Sequence, residues 1–472
     1  MKVEQIYTGC LAQGAYYIES QGEAVIIDPL RETKPYLERA QKDGAVIKYI
    51  LETHFHADFV SGHVDLAQKT GATIVYGPNA VTEFEAYIAK DNEVLQVGAV
   101  SIKVLHTPGH TMESTSYLLL DEEGKEQALF SGDTLFIGDV GRPDLAVKTH
   151  LSREDLAAHL FDSLREKIMP LPNEVVVYPA HGAGSACGKN MSKETSDTLG
   201  NQKQNNYALR ADMTKEEFIQ EVTSGLSQAP QYFPKNVLLN QKGYSSLDAV
   251  YDKGLVALAP DQLEAIVNET GALVLDTRAP QTFKEGFIPN AINIGIDGSF
   301  APWVGALIVD LEQPIVLVTE QGREKEVVTR LARVGYDNVL GYLEGGMESW
   351  VAAAKEVDQI TSIPASQLEE LLQKDKTINL LDARTPNEHL SEHVLNAQNF
   401  PLDYINDNME NIDKDKTYYV HCAGGYRSMI TASILKARGF EHVIDIAGGF
   451  KAIANTAIPT SDFVCPTTLK FV

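Results

Sequence analysis

The second half of the chain states one pattern twice. GALVLDTRAPQTFKEGFIPNAINI (271–294) returns as TINLLDARTPNEHLSEHVLNAQNF (377–400), setting Asp276 against Asp382, Arg278 against Arg384 and Ala291 against Ala397. PIVLVTEQGREKEVVTRLARVGYDNV (314–339) returns as TYYVHCAGGYRSMITASILKARGFEHV (417–443), and LEGGMESW (343–350) as IAGGFKAI (446–453). Each copy reads strand–loop–helix, then strand–loop–helix. Apolar β-branched runs joined through helices are what a parallel sheet requires, so each copy is expected to fold as a small doubly wound α/β domain.

The first half carries no such repeat. AVIID (24–28), YIL (49–51), ATIVYG (72–77), SIKVLH (101–106), TSYLLLD (115–121), ALFSGD (128–133) and EVVVYPAHG (174–182) read as strands between helical patterns. Several run directly into His or Asp, at the strand ends where α/β enzymes gather their chemistry. SGLSQAPQYFPKN (224–236), rich in Gly, Ser and Pro, reads as a boundary. A chain of 472 residues is too long for one core. Three domains are therefore expected, at 1–245, 256–355 and 361–472.

Charge narrows the partners. A net charge of −25 repels phosphate backbones and anionic lipid, and no Lys/Arg-rich run offsets it, so neither nucleic acid nor membrane is expected. The opening MKVEQIYTGCLAQGAYYIES lacks the basic-then-apolar pattern of a signal peptide, which points to a cytoplasmic protein. Four cysteines, Cys10, Cys187, Cys422 and Cys465, are too few for a disulfide framework.

Metal-ligand residues gather in THFHADFVSGH (53–63), HTPGH, FSGD and YPAHG. His54, His56, Asp58, His110, Asp133 and His181 all follow strands and flank Gly or Pro turns, a joint pattern that packing does not explain. HxHxD, PGH, GD and AHG in this order resemble the metallo-β-lactamase superfamily over residues 1–245. That resemblance implies an αββα sandwich with metal at one edge.

Where dinuclear relatives of the glyoxalase II type place a second-metal histidine, this chain has Phe59, which has no lone pair to give. One metal held by His54, His110 and Asp133 is then expected. Two imidazoles and a carboxylate on one face favour non-haem Fe(II), one per chain, whereas Zn(II) is the alternative. Such a mononuclear set resembles the persulfide dioxygenases. The resemblance leaves His56, Asp58 and His181 as supporting or substrate-positioning groups. In GDVGRPDL (138–145) Arg142 either pairs with Asp144 or holds an anionic end of substrate. Cys187 either takes part in sulfur transfer or is a small buried residue.

VHCAGGYRSMITAS (420–433) is the second strong signal. A strand ends at Cys422, and a Gly-rich turn leads into a helix, so backbone N–H groups and the helix dipole stabilise an anion on Sγ. Cysteine, four residues, then arginine is the spacing of the rhodanese sulfurtransferases, which this loop resembles. Ala423, Gly424, Gly425, Tyr426 and Ser428 would then cradle a persulfide on Cys422. Arg427 would brace the loop or bind an anionic acceptor such as sulfite. Asp382 and Arg384 are expected to form an internal salt bridge. In the first copy Glu320 is read at the place of Cys422, in a loop that reads as shorter, so 256–355 resembles a rhodanese-like domain without its nucleophile.

The whole is similar to persulfide dioxygenase–rhodanese fusions of sulfide oxidation. This implies O2-dependent oxidation of a thiol persulfide to sulfite, with Cys422 passing sulfane sulfur to sulfite as thiosulfate. A homo-oligomer is expected from such relatives. Two rivals stay open: a zinc thioester hydrolase of glyoxalase II type, and a non-enzymatic persulfide carrier or sensor.

Overall fold

The computed structural model describes residues 1–146, 151–226 and 229–465. Contacts divide the chain into two units, Met1–Leu247 with Ala332–Gly335, and Asp248–Leu331 with Tyr336–Val472. No helix among the described residues is long and apolar enough to cross a membrane.

In the first unit, β1 Lys2–Thr8, β2 Gln13–Ser20, β3 Glu23–Ile27, β4 Val46–Leu51, β5 Thr73–Tyr76 and β6 Tyr87–Ile88 form one sheet, each beside its sequence neighbour. β1 to β3 pair antiparallel and β3 to β6 parallel. β7 Val94–Val97, β8 Val100–His106, β9 Thr115–Leu120, β10 Glu126–Gly132, β11 Val176–Pro179 and β12 Asp197–Thr198 form the second, antiparallel except between β10 and β11. Alternation along the strands sends Tyr16, Ile18, Val25 and Ile27 from one sheet against Ile102, Val104, Tyr117, Leu119 and Phe130 from the other. The outward faces are covered by helices, Lys34–Asp43 and His63–Thr70 on the first sheet and Arg153–Ser163 on the second. That is an αββα sandwich. Its strand ends place β4 before His54, β10 before Asp133 and β11 before His181.

The stretch read as a boundary departs from that expectation. Helix Phe233–Lys242 starts inside it, with a proline in its first turn, where a missing N–H costs nothing. The helix belongs to the first unit and buries Asn236 and Asn240. The Asn240 amide donates to the carbonyls of His56 and Phe59, both at 2.8 Å, and accepts from the Ser61 N–H at 2.9 Å. A composition suited to loops thus conceals a brace for the histidine loop, because one buried amide outweighs local propensity.

The second unit holds two sheets of one topology. β13 Ala257–Leu258, β14 Leu273–Asp276, β15 Ile292–Asn293, β16 Ile315–Val318 and β17 Val339–Leu343 pair in parallel in the order β13–β17–β16–β14–β15. β18 Thr361–Pro364, β19 Asn379–Asp382, β20 Gln398–Asn399, β21 Tyr418–His421 and β22 Val443–Ala447 repeat it as β18–β22–β21–β19–β20. The sequence repeat is therefore a structural one.

Register corrects one detail. Asp276 pairs with Val318, and Asp382 with His421. Thr319, and not Glu320, stands where Cys422 stands. The strand-to-helix loop of the first copy, residues 319–323, is also no shorter than its counterpart at 422–425; the shortening falls in the helix, Glu324–Ala332 against Tyr426–Ala437. A hydroxyl is no better than a carboxylate at carrying sulfane sulfur.

Candidate metal centre and sulfur-carrying loop

His54, His110 and Asp133, all buried, bring one donor atom each to within 4.8 Å of one another. Asp133 Oδ2 lies 3.8 Å from His54 Nε2 and 3.5 Å from His110 Nε2, and makes no hydrogen bond.

Both tautomers follow from neighbours. Asp28 accepts the Thr53 N–H and the Thr53 hydroxyl, both at 2.8 Å. That hydroxyl has one hydrogen, so at 2.9 Å it must accept from His54 Nδ1–H. His110 Nδ1 lies 2.9 Å from the Arg142 carbonyl, which can only accept. In each ring Nδ1 is thus the donor to its neighbour, and Nε2 faces Asp133. Burial, then the neighbouring His56, pushes His54 well below its ordinary range, which keeps it neutral. Two imidazoles that turn Nε2 inward and an unpartnered carboxylate oxygen are a donor set that fits a divalent metal.

Around this set the other candidates separate. His181 Nδ1 meets Asp133 Oδ1 at 2.7 Å, and its Nε2 lies 2.8 Å from Asp58 Oδ2 as a close charge contact rather than an aligned hydrogen bond. Burial alone would lower His181, but Asp133 and Asp58 override it and hold it well above its usual value. Asp133 is held low chiefly by His181, against the opposing effect of burial. Cys187 groups with Asp58 and His181 as a second set of three donors within 4.8 Å. Burial, then the charge of Asp58, pushes its thiol well up.

His56 turns elsewhere. Its Nε2 lies 3.2 Å from Asp28 Oδ1 and 3.7 Å from Glu52 Oε2. The fully buried Phe59 ring lies against it, centroids 4.3 Å apart. Arg142 pairs with Asp144 through two bonds of 2.7 Å and donates to the Ala186 carbonyl at 3.2 Å. Its side chain and its carbonyl therefore tie the 138–145 segment both to His110 and to the residues before Cys187. Sequence reasoning misses Asp28, Thr53 and Asn240. Asp28 closes a strand as the ligands do, a signal that could have found it; Asn240 carries none.

In the second rhodanese-like copy, buried Cys422 directly follows β21. Its Sγ accepts the Gly425 N–H at 3.1 Å, and its thiol lies 3.6 Å from Ser428 Oγ, which donates to buried Asp445 at 2.7 Å. Gly425 needs its φ of +105° to turn that amide inward, which favours glycine. Arg427 forms a bidentate pair with Glu388 at 2.6 and 2.7 Å, which braces the loop. Asp382 and Arg384 form a buried ion pair, as do Asp276 and Arg278. The two aspartates nevertheless differ. Burial raises Asp276, and Arg278 only partly counters it. Asp382 is also buried, yet bonds from His389 at 2.9 Å and from Arg384, with His421 nearby, hold it well below the usual carboxylate range. Phe283 and Val318 occupy those histidine positions in the first copy.

Comparison with known proteins agrees with this layout. The metallo-beta-lactamase superfamily model matches residues 8–181, and the rhodanese-like domain model matches residues 259–353 and 364–456. A crystal structure of a metallo-beta-lactamase from Staphylococcus aureus subsp. aureus COL is 34% identical, covers 73% of this chain and 98% of that one, and superposes with a TM-score of 0.63. A crystal structure of ETHE1 from Myxococcus xanthus is 27% identical, covering 51% of this chain and 98% of that one, at a TM-score of 0.44. The cytoplasmic hydroxyacylglutathione hydrolase of Arabidopsis thaliana is 33% identical over 177 residues, 36% of this chain and 65% of its own length. The chain spans 60 to 66% of the length of the first curated relatives it matches. It belongs to the metallo-β-lactamase superfamily and carries two rhodanese-like domains behind its metal-binding one.

Proposed function

We propose that the first domain oxidises a low-molecular-weight thiol persulfide with O2, and that Cys422 converts the resulting sulfite to thiosulfate. The balanced steps are R–S–SH + O2 + H2O → R–SH + sulfite + 2 H+, then R–S–SH + sulfite → R–SH + thiosulfate. In the second, the Cys422 thiolate attacks the sulfane sulfur, expels R–S⁻, and passes that sulfur to sulfite.

The observation that carries this reading is the pairing of one His54–His110–Asp133 set beside Phe59 with a cysteine held by a backbone N–H. A metal held by that set, Fe(II) by preference, supplies the coordination positions and the redox chemistry. The residues do the rest. Thr53 and the Arg142 carbonyl fix which nitrogen each imidazole presents. His181 is held between Asp133 and Asp58, 2.7 and 2.8 Å from their oxygens. Cys187 lies buried beside it, facing the same pocket. Gly425 N–H stabilises sulfur anion on Cys422, and Glu388 holds Arg427 so that the loop keeps its shape.

The names of the hydroxyacylglutathione hydrolases favour a second reading, a zinc thioester hydrolase, and Asp58, His181 and Cys187 are its donor set for a second ion. Anaerobic purification, iron and zinc quantification, and O2 uptake with glutathione persulfide separate the two. One iron per chain with O2 uptake is expected, and Cys422→Ser should keep that uptake while shifting product from thiosulfate to sulfite. Two zinc ions per chain with lactoylglutathione turnover and no O2 uptake would establish the hydrolase instead.

A further inference from the structure

The first rhodanese-like domain has no sulfur carrier, yet it is packed on the loop that has one. Tyr426, between Cys422 and Arg427, donates its hydroxyl to the Gly295 carbonyl of the first domain at 2.7 Å. Its ring packs against the two glycines of a turn, Gly295 and Gly298. A Cβ at Gly298 would lie 2.2 Å from the ring, and one at Gly295 3.3 Å from it. The turn is braced from within its own domain. Arg330 donates to the Ile296 carbonyl at 2.6 Å, and Arg323 pairs with Asp297 at 2.8 and 3.0 Å. Arg323 belongs to the corresponding loop of the first copy, which has no cysteine, at the position equivalent to Tyr426.

The contact continues along the helix. Ser433 Oγ accepts the Asn293 N–H at 3.0 Å, and Lys436 meets Asp358 at 3.0 Å. Every residue from Ser428 to Leu435 is buried, as befits a helix covered on both faces. Two adjacent residues in the first turn of the helix are thus tied to different domains, Tyr426 to the first copy and Arg427, through Glu388, to its own.

We propose that the cysteine-less domain is the positioning platform of the persulfide loop: its glycine turn at 295–298 seats Tyr426 and so holds the Gly425 N–H on Cys422 Sγ. This deepens the reading of Cys422 as sulfur carrier and rests on it. Tyr426 acts through the neighbouring amide, and is a positioning residue.

The test uses the full-length chain with Gly298→Ala, Tyr426→Ala, the two combined, and Tyr426→Phe. Sulfur transfer to sulfite and the rate of iodoacetamide labelling at Cys422, followed by mass spectrometry of its peptide, are the readouts. Gly298→Ala should lower kcat for transfer about tenfold at unchanged KM and slow the labelling, because a displaced turn misplaces the reacting atom. Its O2 uptake should match wild type. Tyr426→Ala should slow labelling too, and the combined variant should be no slower than either single one, since the methyl enters space the ring has left. Wild-type labelling in Gly298→Ala, or losses that multiply in the combined variant, would overturn the platform. If Gly298→Ala does not fold, Tyr426→Phe decides alone: labelling slowed about threefold is expected for one lost hydrogen bond, and wild-type labelling refutes it. Absence of transfer in wild type would instead sink the carrier reading, and the labelling comparison would still stand.

Discussion

Replacing Asn240 with alanine should loosen the metal-binding loop from behind. The side chain is 1% exposed and serves three backbone groups, the carbonyls of His56 and Phe59 and the N–H of Ser61. Truncation leaves all three buried without a partner. Each orphaned group costs about 1–3 kcal/mol. Relaxation makes the sum less than additive, so the expected loss is about 3–5 kcal/mol. At about 2–4 °C per kcal/mol for a unit of this size, the amino-terminal transition should fall by about 6–20 °C. Differential scanning calorimetry of the anaerobically purified full chain reads this, provided the transitions of the two units are resolved. Metal content should fall in parallel, since His54 and Asp58 lie on the loop that Asn240 holds. A shift below about 2 °C with full metal retention would refute the reasoning, because one hydrogen bond alone is worth that much.

Three further outcomes are expected. Phe59→His should raise the metal bound per chain, read by elemental analysis, since the ring would bring a nitrogen beside Asp58 and His181; unchanged stoichiometry counts against the account of the pruned site. Gly449→Ala should abolish most sulfur transfer while sparing O2 uptake, because its Cβ would lie 2.4 Å from the Cys422 carbonyl at a φ of +58°. Asp382 is depressed in the folded chain, so the stability it contributes is present above the unfolded carboxylate value of about 4 and is lost as pH falls through the lower folded one. Thermal melts of the second unit between neutral and acid pH should therefore show an acid-side loss that Asp382→Asn flattens.

Much of the fold and of the metal centre is legible in the order of the amino acids. The repeat announces two doubly wound domains because two stretches of one pattern must meet one packing problem. The strand-end histidines declare themselves because loops after strands concentrate polar groups. Other features are hidden for physical reasons. Glu320 aligns with the cysteine by eye, but sheet register is set by backbone pairing, and that puts Thr319 opposite the cysteine's place. The first two strands escape the pattern because β2, QGAYYIES, is buried on both faces and shows no clean alternation. Helix Phe233–Lys242 is masked by Pro and Ser that belong to its approach. The two histidines that act on Asp382 lie seven residues away and on another strand, so no local pattern links them to it as one links Arg384.

The ion pair of Asp276 with Arg278 is present in a domain that contains no cysteine. What secures the shape of such a domain is physically apart from what makes it reactive. A sheet clamped by this pair therefore needs no thiol at its strand end to keep its form.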